Sequence, residues 1–494
     1  MPSGDIFNPD EIDLPSGCFI GGEFVPGEGN VFEVIRPSDG RLAKVERSAS
    51  PALVDRAVQA AAKAHAAGAW AKSPPRERAR IMRRWAELII EHEEELARLE
   101  AVVSTRIVTE ARERDVRLVA EVIRYYGELT DKVTGEVLPT ASDVLGLTTL
   151  EPYGVVAAIS PWNVPLLLAT LKVAPALAAG NAVVLKPSEM TPYSILRLAQ
   201  LGHDAGIPAG QFGVVLGLGP DTGAALVKHP LVNYVTFTGS VTTGARVMAD
   251  AALSGIKPVS LELGGKSPQL VFGDTDDIDR VAQTVARAVT RNAGQICFAG
   301  TRLVVEKKIA ETLVAKVEQI VSELAPGPTW NGATSLAPII SAKQADRIEN
   351  ILKRSIAAGA EIQLGGKRLD AGNGGAYFQP TIVTDAAPDN PIILEEVFGP
   401  VLAVQTFNDF EEGIALADHP AYGLAGGVHT ADINKALRAA QSIQAGTIWV
   451  NDYGPTPDVV TPFGGYKQSG FGKDFGVQGL LKFLHSKTIW IRKH

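Results

Sequence analysis

The pattern of hydrophobic and polar positions changes along the 494 residues of the chain. Between residues 51 and 104, apolar side chains recur at helical spacing, which predicts helices. From about residue 152, short apolar runs of strand length alternate with helical segments, at 155–159, 182–185, 212–216 and 234–238. Such alternation is typical of βαβ units in a parallel sheet, which binds ligands at the carboxyl ends of its strands. We therefore predict an α/β fold in which this region binds a cofactor.

A second alternating region, from about residue 265 to 465, predicts a separate α/β domain. Its strand candidates lie at 270–272, 302–305, 402–404 and 447–450. The carboxyl end, residues 487–493, has the pattern of an edge strand with no obvious partner in its own domain. Because an exposed strand edge can pair with another chain, this segment favours an oligomer.

Composition and charge narrow the function classes. The chain is long enough for two or three domains, and its formal charge of −8 gives no electrostatic footprint for nucleic acid. The amino terminus lacks the features of a secretory signal, and prolines interrupt the apolar stretch 154–186, so no membrane span is predicted. The two cysteines lack zinc-ligand spacing, which indicates a reducing compartment without a structural metal. We predict a soluble, cytoplasmic protein.

The candidate chemistry centres on Cys297. It lies in a small-residue setting between Gly294 and Gly300, and Glu262 ends an apolar run upstream of it. A cysteine nucleophile needs help from a base, helix amides or cations, because an ordinary thiol is only a few per cent thiolate at neutral pH. An isolated cysteine is more often a small buried hydrophobe. The paired carboxylate Glu262 favours a nucleophile here.

Asn163 is a candidate for stabilising negative charge. Attack of a thiolate on a carbonyl carbon places negative charge on the oxygen, which then needs hydrogen-bond donors. The side chain of Asn163 and the backbone N–H of Cys297 are suitable donors. The alternative is a turn asparagine beside Pro161 and Pro165.

Two segments follow predicted strands of the cofactor region. Lys186 and Glu189 come directly after one strand, at the edge of the sheet where nucleotides bind. A carboxylate there can accept hydrogen bonds from ribose hydroxyls but repels a 2′-phosphate. NAD is therefore favoured over NADP. Residues 237–244 follow a later strand and open a helix whose backbone amides can bind a pyrophosphate oxygen. The structural alternatives are solvated charges at a helix start and an ordinary strand-to-helix turn.

Several short motifs extend over nearly the whole sequence. In order they are Pro-Trp-Asn at 161–163, Lys-Pro-Ser-Glu at 186–189, Phe-Thr-Gly-Ser at 237–240, Glu-Leu-Gly-Gly-Lys-Ser-Pro at 262–268, Gly-Gln-Ile-Cys at 294–297, Glu-Val-Phe-Gly-Pro at 396–400 and Pro-Phe-Gly-Gly-Tyr-Lys-Gln-Ser-Gly at 462–470. In this combination and order the chain resembles the NAD(P)-dependent aldehyde dehydrogenase superfamily.

The resemblance implies oxidation of an aldehyde to a carboxylic acid. Cys297 would form a thiohemiacetal whose oxyanion is held by Asn163, and Glu262 would activate the water that hydrolyses the resulting thioester. Lys172 matches a position linked to proton relay, although a lysine on a surface helix is the commoner explanation. Two alternatives stay open, namely acyl transfer to coenzyme A, against which Glu262 argues, and a non-catalytic structural relative.

The resemblance also implies the cofactor site and the domains. NAD, or alternatively NADP, would be held by Trp162, Lys186, Glu189, Gly239, Ser240, Glu396 and Phe398. We expect a Rossmann-like cofactor domain formed by residues 1–131 and 152–262. Residues 263–466 would form a catalytic domain, and residues 132–151 and 467–494 a small β oligomerisation arm. A homodimer or homotetramer follows.

The aldehyde tunnel is expected to be mostly apolar. Its lining residues by the same resemblance are Val164, Leu168, Leu171, Arg291, Phe298, Pro457 and Phe463. Arg291 is the exception, and some relatives that act on succinic semialdehyde have an arginine at this offset. The second arginine of that pair is replaced here by Leu171. An ω-carboxylated aldehyde and an apolar or aromatic aldehyde are therefore both candidate substrates, and a structural role for Arg291 is the alternative.

Overall fold

The computed structural model describes residues 6–454 and 458–493, and its first large sheet has eight strands. In spatial order they are Glu23–Val25, Cys18–Ile20, Phe212–Val214, Ala182–Lys186, Val155–Ile159, Tyr234–Thr238, Val259–Glu262 and Gly470–Phe471. The strands from Phe212–Val214 across to Val259–Glu262 are parallel. Ala182–Lys186 is buried at every position and packs against two helices, as expected for a parallel strand that is covered on both faces.

The second large sheet has seven strands and belongs to the carboxyl-terminal half. In spatial order they are Glu361–Leu364, Thr381–Thr384, Val401–Phe407, Arg302–Glu306, Pro268–Val271, Ala425–His429 and Thr447–Val450. All neighbours are parallel except the edge strand Glu361–Leu364, which is antiparallel to Thr381–Thr384. The strands predicted in both regions are therefore present, although the one expected at 212–216 ends at Val214.

A three-stranded sheet is not hydrogen-bonded to either of the two large sheets. Leu484–Arg492 pairs antiparallel with Val144–Pro152 along its whole length, and Val144–Pro152 also pairs with Glu136–Leu138. The terminal strand thus has a partner in its own chain, while its side chains from His485 onward are exposed. Gly470–Phe471, which the prediction assigned to the arm, joins the first large sheet instead.

Smaller elements complete the fold. Three further strand pairs are Val31–Ile35 with Leu42–Arg47, Arg368–Leu369 with Tyr377–Phe378, and Tyr422–Gly423 with Tyr466–Lys467. The α-helices are Pro51–Ala67, Pro75–Glu91, Glu93–Val103, Val108–Glu110, Arg117–Leu129, Pro165–Ala178, Tyr193–Asp204, Ala224–Lys228, Val241–Leu253, Ile278–Thr290, Lys307–Ser322, Ala342–Ala357, Pro391–Leu394, Phe410–Ala417, Ile433–Ser442 and Gly476–Leu481. Short 3₁₀ segments lie at Pro9–Glu11 and Arg291–Gly294, and π-helical segments at Ala111–Val116 and Gly219–Gly223. Among these described helices, none is both long and apolar enough to cross a bilayer.

Candidate active site

Cys297 lies in a constrained loop after helix Ile278–Thr290. Asn292 and Ala293 in this loop adopt positive φ angles of 53° and 51°. Gly294 follows at φ 71°, where a Cβ would collide with a neighbouring backbone carbonyl. Residues other than glycine rarely adopt such angles, so the surrounding contacts must hold the loop in shape.

Gln295 supplies those contacts. Its Nε2 donates to the carbonyls of Asn292 and Pro338 at 2.9 and 3.0 Å, and its Oε1 accepts from the backbone N–H of Ile340 at 2.9 Å. The side chain is fully buried. A buried carboxamide with these three bonds fixes the backbone that carries Cys297.

Asn163 connects this loop to the first sheet. It lies just before helix Pro165–Ala178, and its Nδ2 donates to the carbonyl of Gln295 at 3.0 Å. The backbone carbonyl of Asn163 accepts from Asn292 Nδ2 at 3.0 Å. A carboxamide has two N–H donors, and Asn163 lines both of the cavities that meet at Cys297. The bond to Gln295 uses one of these two donors.

Glu262 ends a strand of the first sheet and lines the same two cavities as Cys297. Both carboxylate oxygens are buried, and no group in the described part of the chain hydrogen-bonds to either. Burial, followed by the negative charge of Asp474, raises the pKa of Glu262 well above its ordinary value, against the opposing charge of Lys172. A carboxylate whose pKa is raised is a stronger base than an ordinary carboxylate.

Lys172 belongs to a buried ion network next to Glu262. Its Nζ donates to Asp474 Oδ2 at 2.9 Å, and Lys482 Nζ donates to Asp474 Oδ1 at 2.5 Å. Burial alone would raise the pKa of Asp474, but the two lysines outweigh it, and the pKa lies below its ordinary value. Lys172 is 1% exposed, so the surface-helix explanation for this lysine is wrong.

The thiol of Cys297 is protonated at neutral pH in this structure. Burial, followed by the negative charges of Glu396 and Glu262, raises its pKa to about 12. A thiol with such a pKa is a poor nucleophile until a base removes its proton. Glu262 is the nearby carboxyl group that also lines both cavities.

The first cavity contains most of the residues predicted to hold a cofactor. Trp162, Gly239, Ser240, Glu396 and Phe398 line it together with Asn163, Glu262 and Cys297. The ring of Phe398 meets Trp162 edge to face, with centroids 5.3 Å apart. Glu396 Oε1 accepts from the backbone N–H of Gly265 at 3.2 Å, and a Cβ on Gly264 would collide with that carboxylate.

Lys186 and Glu189 lie at the end of a strand in the same sheet but do not line the first cavity. Lys186 Nζ is 3.5 Å from Glu189 Oε2 and donates to the carbonyl of Pro187 at 2.8 Å. Burial lowers the pKa of Lys186, although Glu189 opposes this effect. The pair lies at the carboxyl end of a parallel strand, the edge of an α/β sheet at which ligands bind.

The sequence analysis missed two residues of the first cavity. Gln344 and Arg347 both lie on helix Ala342–Ala357, and both line the cavity. Gln344 Nε2 donates to the carbonyl of Phe398 at 2.9 Å, and Arg347 Nη2 donates to the carbonyl of Glu396 at 2.8 Å. They fix the backbone of the two predicted cofactor residues. No recognisable motif surrounds them, so the sequence offered no signal.

The second cavity contains nearly all of the residues predicted to face the substrate. Val164, Leu168, Leu171, Arg291, Phe298 and Phe463 line it, and Pro457 lies outside the described residues. The Phe298 ring packs against Phe463 with centroids 5.5 Å apart. The sequence analysis missed further lining residues, namely Arg114, Asp115, Leu118, Leu167, Ile296, Asp474 and Phe475.

No group of three or more metal-ligating side chains occurs within residues 6–454 and 458–493. The side chains that meet at the site and beside it carry thiol, carboxyl, amide and ammonium groups. These groups lie where the two cavities meet, of which the second is the more apolar, and this arrangement is suited to two different ligands that react with each other.

Comparison with known proteins adds to this picture. The family model described as "Aldehyde dehydrogenase family" matches residues 24–489. The NADP/NAD-dependent aldehyde dehydrogenase PuuC of Escherichia coli (strain K12) is 40% identical over 97% of this chain and 96% of its own length.

Solved structures agree with that match. P. syringae AldA indole-3-acetaldehyde dehydrogenase, in complex with NAD+ and IAA, is 39% identical with a TM-score of 0.96. The gamma-glutamyl-gamma-aminobutyraldehyde dehydrogenase from Burkholderia cenocepacia J2315 is 40% identical, also with a TM-score of 0.96. Each comparison covers 98% of both chains. The predicted α/β fold is confirmed.

Proposed function

Because this chain belongs to the aldehyde dehydrogenase family and is an NAD-dependent enzyme that oxidises aldehydes to carboxylic acids, we propose that it works through a covalent intermediate on Cys297. The predicted family, enzyme class and cofactor are confirmed. The observation that carries the proposal is that Cys297, Glu262 and Asn163 all line both cavities at the point where they meet.

The residues of the first cavity fit a dinucleotide. The Glu396 carboxylate is fixed by a backbone N–H, and it occupies the space that the missing side chain of Gly264 leaves. Glu396 and Phe398 would hold the nicotinamide ribose, with Trp162 lining the cleft, while Lys186 and Glu189 would bind the adenosine ribose. Gly239 and Ser240, at the start of helix Val241–Leu253, would approach the pyrophosphate. Bound NAD supplies the acceptor for the hydride that leaves the substrate.

Cys297 would attack the aldehyde carbon. A sulfur–carbon bond forms, the thiol proton passes to Glu262, and the carbonyl oxygen becomes negatively charged. The second N–H of the Asn163 side chain and the backbone N–H of Cys297 stabilise that charge. After loss of the hydride, a thioester on Cys297 is left.

Glu262 would then complete the reaction. Once its proton has passed to solvent, its carboxylate accepts a proton from water, the hydroxide adds to the thioester, and the sulfur–carbon bond breaks to release the acid. Lys172 and Asp474 would set the charge around Glu262, because both contribute to its pKa. We assign Lys172 to this electrostatic role and to the return of protons.

The second cavity would bind the body of the substrate. Its lining by Leu168, Leu171, Phe298 and Phe463 supports an aldehyde with an extended apolar or aromatic part. Relatives described as acting on indole-3-acetaldehyde and on gamma-glutamyl-gamma-aminobutyraldehyde have the same fold. Oxidation of both compounds by this enzyme is therefore a reasonable first measurement.

We propose that the cofactor domain, the catalytic domain and the arm have the ranges predicted from the sequence, with Gly470–Phe471 contributing to the cofactor sheet. The exposed outer strand Leu484–Arg492 supports a homodimer or homotetramer built through the arm. The cytoplasmic location stays a prediction.

The variant Glu262→Gln tests the mechanism. It keeps the shape of the side chain but cannot act as a base. The thioester should therefore form more slowly, with the thiol proton passing to solvent, and its hydrolysis should slow further, so that the thioester accumulates. We expect a slowed burst of NADH with about one equivalent per active site, followed by a steady rate lower by about 10²-fold to 10⁴-fold. Stopped-flow absorbance measures both phases, and mass spectrometry of the quenched enzyme locates the acyl group.

Two cysteine variants complete the design. Cys297→Ser should give no burst, whereas Cys18→Ser, which alters the other, fully buried cysteine, should leave turnover intact. A burst of normal size from Cys297→Ser would overturn the covalent mechanism. If the wild-type enzyme forms acyl-coenzyme A whenever coenzyme A is added, the hydrolytic role of Glu262 is wrong.

A further inference from the structure

One buried carboxamide beside the loop of Cys297 has no task in the mechanism above. Asn292 is 4% exposed, and its Nδ2 donates to the backbone carbonyls of Asn163 and Gln295 at 3.0 and 3.3 Å. The carbonyl of Gln295 also accepts from the side chain of Asn163 at 3.0 Å. A single amide nitrogen of Asn292 therefore connects the backbone of Asn163 to the loop that carries the thiol.

The oxygen of the Asn292 carboxamide is held by a residue from a distant part of the chain. Thr105 Oγ1 donates to Asn292 Oδ1 at 2.8 Å, across 187 positions of sequence, and Thr105 is fully buried. A buried carboxamide oxygen that loses its donor is destabilised. Without the hydroxyl of Thr105, the carboxamide would therefore turn toward another donor, and its nitrogen would leave the two carbonyls.

The segment that carries Thr105 is fixed by contacts of its own. It follows helix Glu93–Val103, and the next residue, Arg106, pairs with Asp115 at 2.6 Å, with both side chains buried. The backbone of Asn292, in contrast, lies in the constrained loop and has a φ of 53°, an angle that persists only where neighbouring contacts impose it. Thr105 thus gives Asn292 an anchor that lies outside this loop.

These bonds decide where the Asn163 carboxamide points. The carbonyl of Gln295 uses one of its two N–H donors, and Asn292 holds the backbone from which the side chain starts. The direction of the other N–H is therefore set before any substrate binds. A donor that is held in advance stabilises negative charge on a substrate oxygen without the cost of reorganisation.

We propose that Thr105 is a positioning residue for the oxyanion donor, because it holds Asn163, through Asn292, with one N–H directed toward the substrate oxygen. The inference rests on the proposed function, which makes Asn163 that donor. Thr105 and Asn292 line neither of the two cavities, so they touch neither the substrate nor the cofactor. Their effect on the reaction passes through Asn163.

The test measures single turnovers by stopped-flow absorbance, with enzyme and NAD in excess over hexanal or indole-3-acetaldehyde. Thr105→Val keeps the shape of the side chain and removes the hydroxyl donor. We expect NADH to form about tenfold more slowly in this variant, against a loss of about 10²-fold to 10³-fold in Asn163→Ala, which removes the oxyanion donor itself. Thr105→Ser keeps the hydroxyl and should restore most of the rate.

Two further measurements make the result independent of folding. Thr105→Ala removes the same hydroxyl with a smaller side chain, and it should slow NADH formation as Thr105→Val does. The affinity for NAD, followed by tryptophan fluorescence, should equal that of the wild type in every Thr105 variant, because the proposed effect is confined to the substrate oxygen. A loss of NAD affinity that parallels the loss of rate would contradict the proposal.

Thr430→Val is the matched control. Thr430 is 2% exposed, and its Oγ1 donates to Asp274 Oδ1 at 2.7 Å, but it lines neither cavity. Urea unfolding should show that both threonine-to-valine variants are less stable than the wild type, whereas only Thr105→Val should slow NADH formation. An equal loss of rate in both variants, or no loss in Thr105→Val, would overturn the proposal.

A double variant shows whether Thr105 acts through Asn163. Once Asn163→Ala has removed the donor, Thr105→Val should slow NADH formation no further. A tenfold loss from Thr105→Val in both backgrounds would refute the positioning role and leave the proposed function intact, provided that Asn163→Ala alone slows the reaction. If Asn163→Ala has no effect on the rate, the oxyanion assignment of the proposed function itself is wrong.

Discussion

Replacement of Asp474 by asparagine should destabilise the protein far more than a typical loss of an ion pair. Asp474 lies between Lys172 and Lys482, with nitrogen–oxygen distances of 2.9 and 2.5 Å, and all three side chains are buried. Asparagine keeps the shape of the side chain and removes its charge. Two buried ammonium groups would then lose the carboxylate that they share.

The structure sets the size and the pH range of this effect. Removal of one partner from a buried ion pair costs about 3–5 kcal/mol, and we expect the upper part of this range because two lysines are affected. The folded-state pKa of Asp474 is lowered, so its stabilising contribution is complete above the unfolded pKa of about 3.9 and is lost only as pH falls through the folded value. The difference between wild type and variant should therefore stay constant between about pH 5 and pH 8.

Urea unfolding at a fixed protein concentration measures this difference, with Asp279→Asn as the matched control. Asp279 contacts Lys316 at 2.5 Å, but the two side chains are 70% and 36% exposed, so the control should lose no more than about 1 kcal/mol. A loss from Asp474→Asn as small as that of the control would refute the reasoning. The variant should also lower the pKa of Glu262, because the charge of Asp474 raises it, and the acid limb of thioester hydrolysis should move to lower pH.

Two further predictions concern the thiol and the cofactor. Burial and neighbouring charges raise the pKa of Cys297 to about 12. In the absence of NAD, the rate at which iodoacetamide modifies this thiol should therefore rise about tenfold per pH unit up to about pH 10. Peptide mapping follows the modification, and a plateau of the rate near pH 8.5 would contradict the raised pKa. Glu189→Gln removes the charge that repels a 2′-phosphate, so the preference for NAD over NADP in kcat/KM should fall by about tenfold. The control Glu189→Asp keeps the charge and should keep the preference. Steady-state kinetics with both cofactors measure the ratio, and an unchanged preference in Glu189→Gln would exclude a role of Glu189 in cofactor choice.

The sequence predicted the parts of the site that lie in short motifs. Cys297, Glu262 and Asn163 were proposed because each has an unusual local setting, and Glu396 and Phe398 were proposed by family resemblance. The local pattern of apolar residues also predicted the strands, because parallel strands that are buried on both faces have short continuous apolar runs in their sequences.

The residues that were missed act through contacts that are distant in sequence. Gln344 and Arg347 lie on an ordinary amphipathic helix, and their importance comes only from bonds to the carbonyls of Phe398 and Glu396. Asp474 likewise gains its role from Lys172, which lies about 300 positions away. A pattern within one short stretch of sequence cannot show such pairs, and for Lys172 it favoured a surface position, whereas the side chain is buried.

The two cavities share one further feature that bears on how the site is held together. Phe398 lines the first cavity and Phe475 the second, and both have positive φ angles, 56° and 57°. Such a conformation costs a residue other than glycine about 1–3 kcal/mol, and persists only where neighbouring contacts impose it. At Phe398 the contact is the bond from Gln344 to its carbonyl, and at Phe475 it is the buried ion network of the preceding residue, Asp474. The same polar groups that hold the backbone in place therefore also position one aromatic side chain in the lining of each cavity.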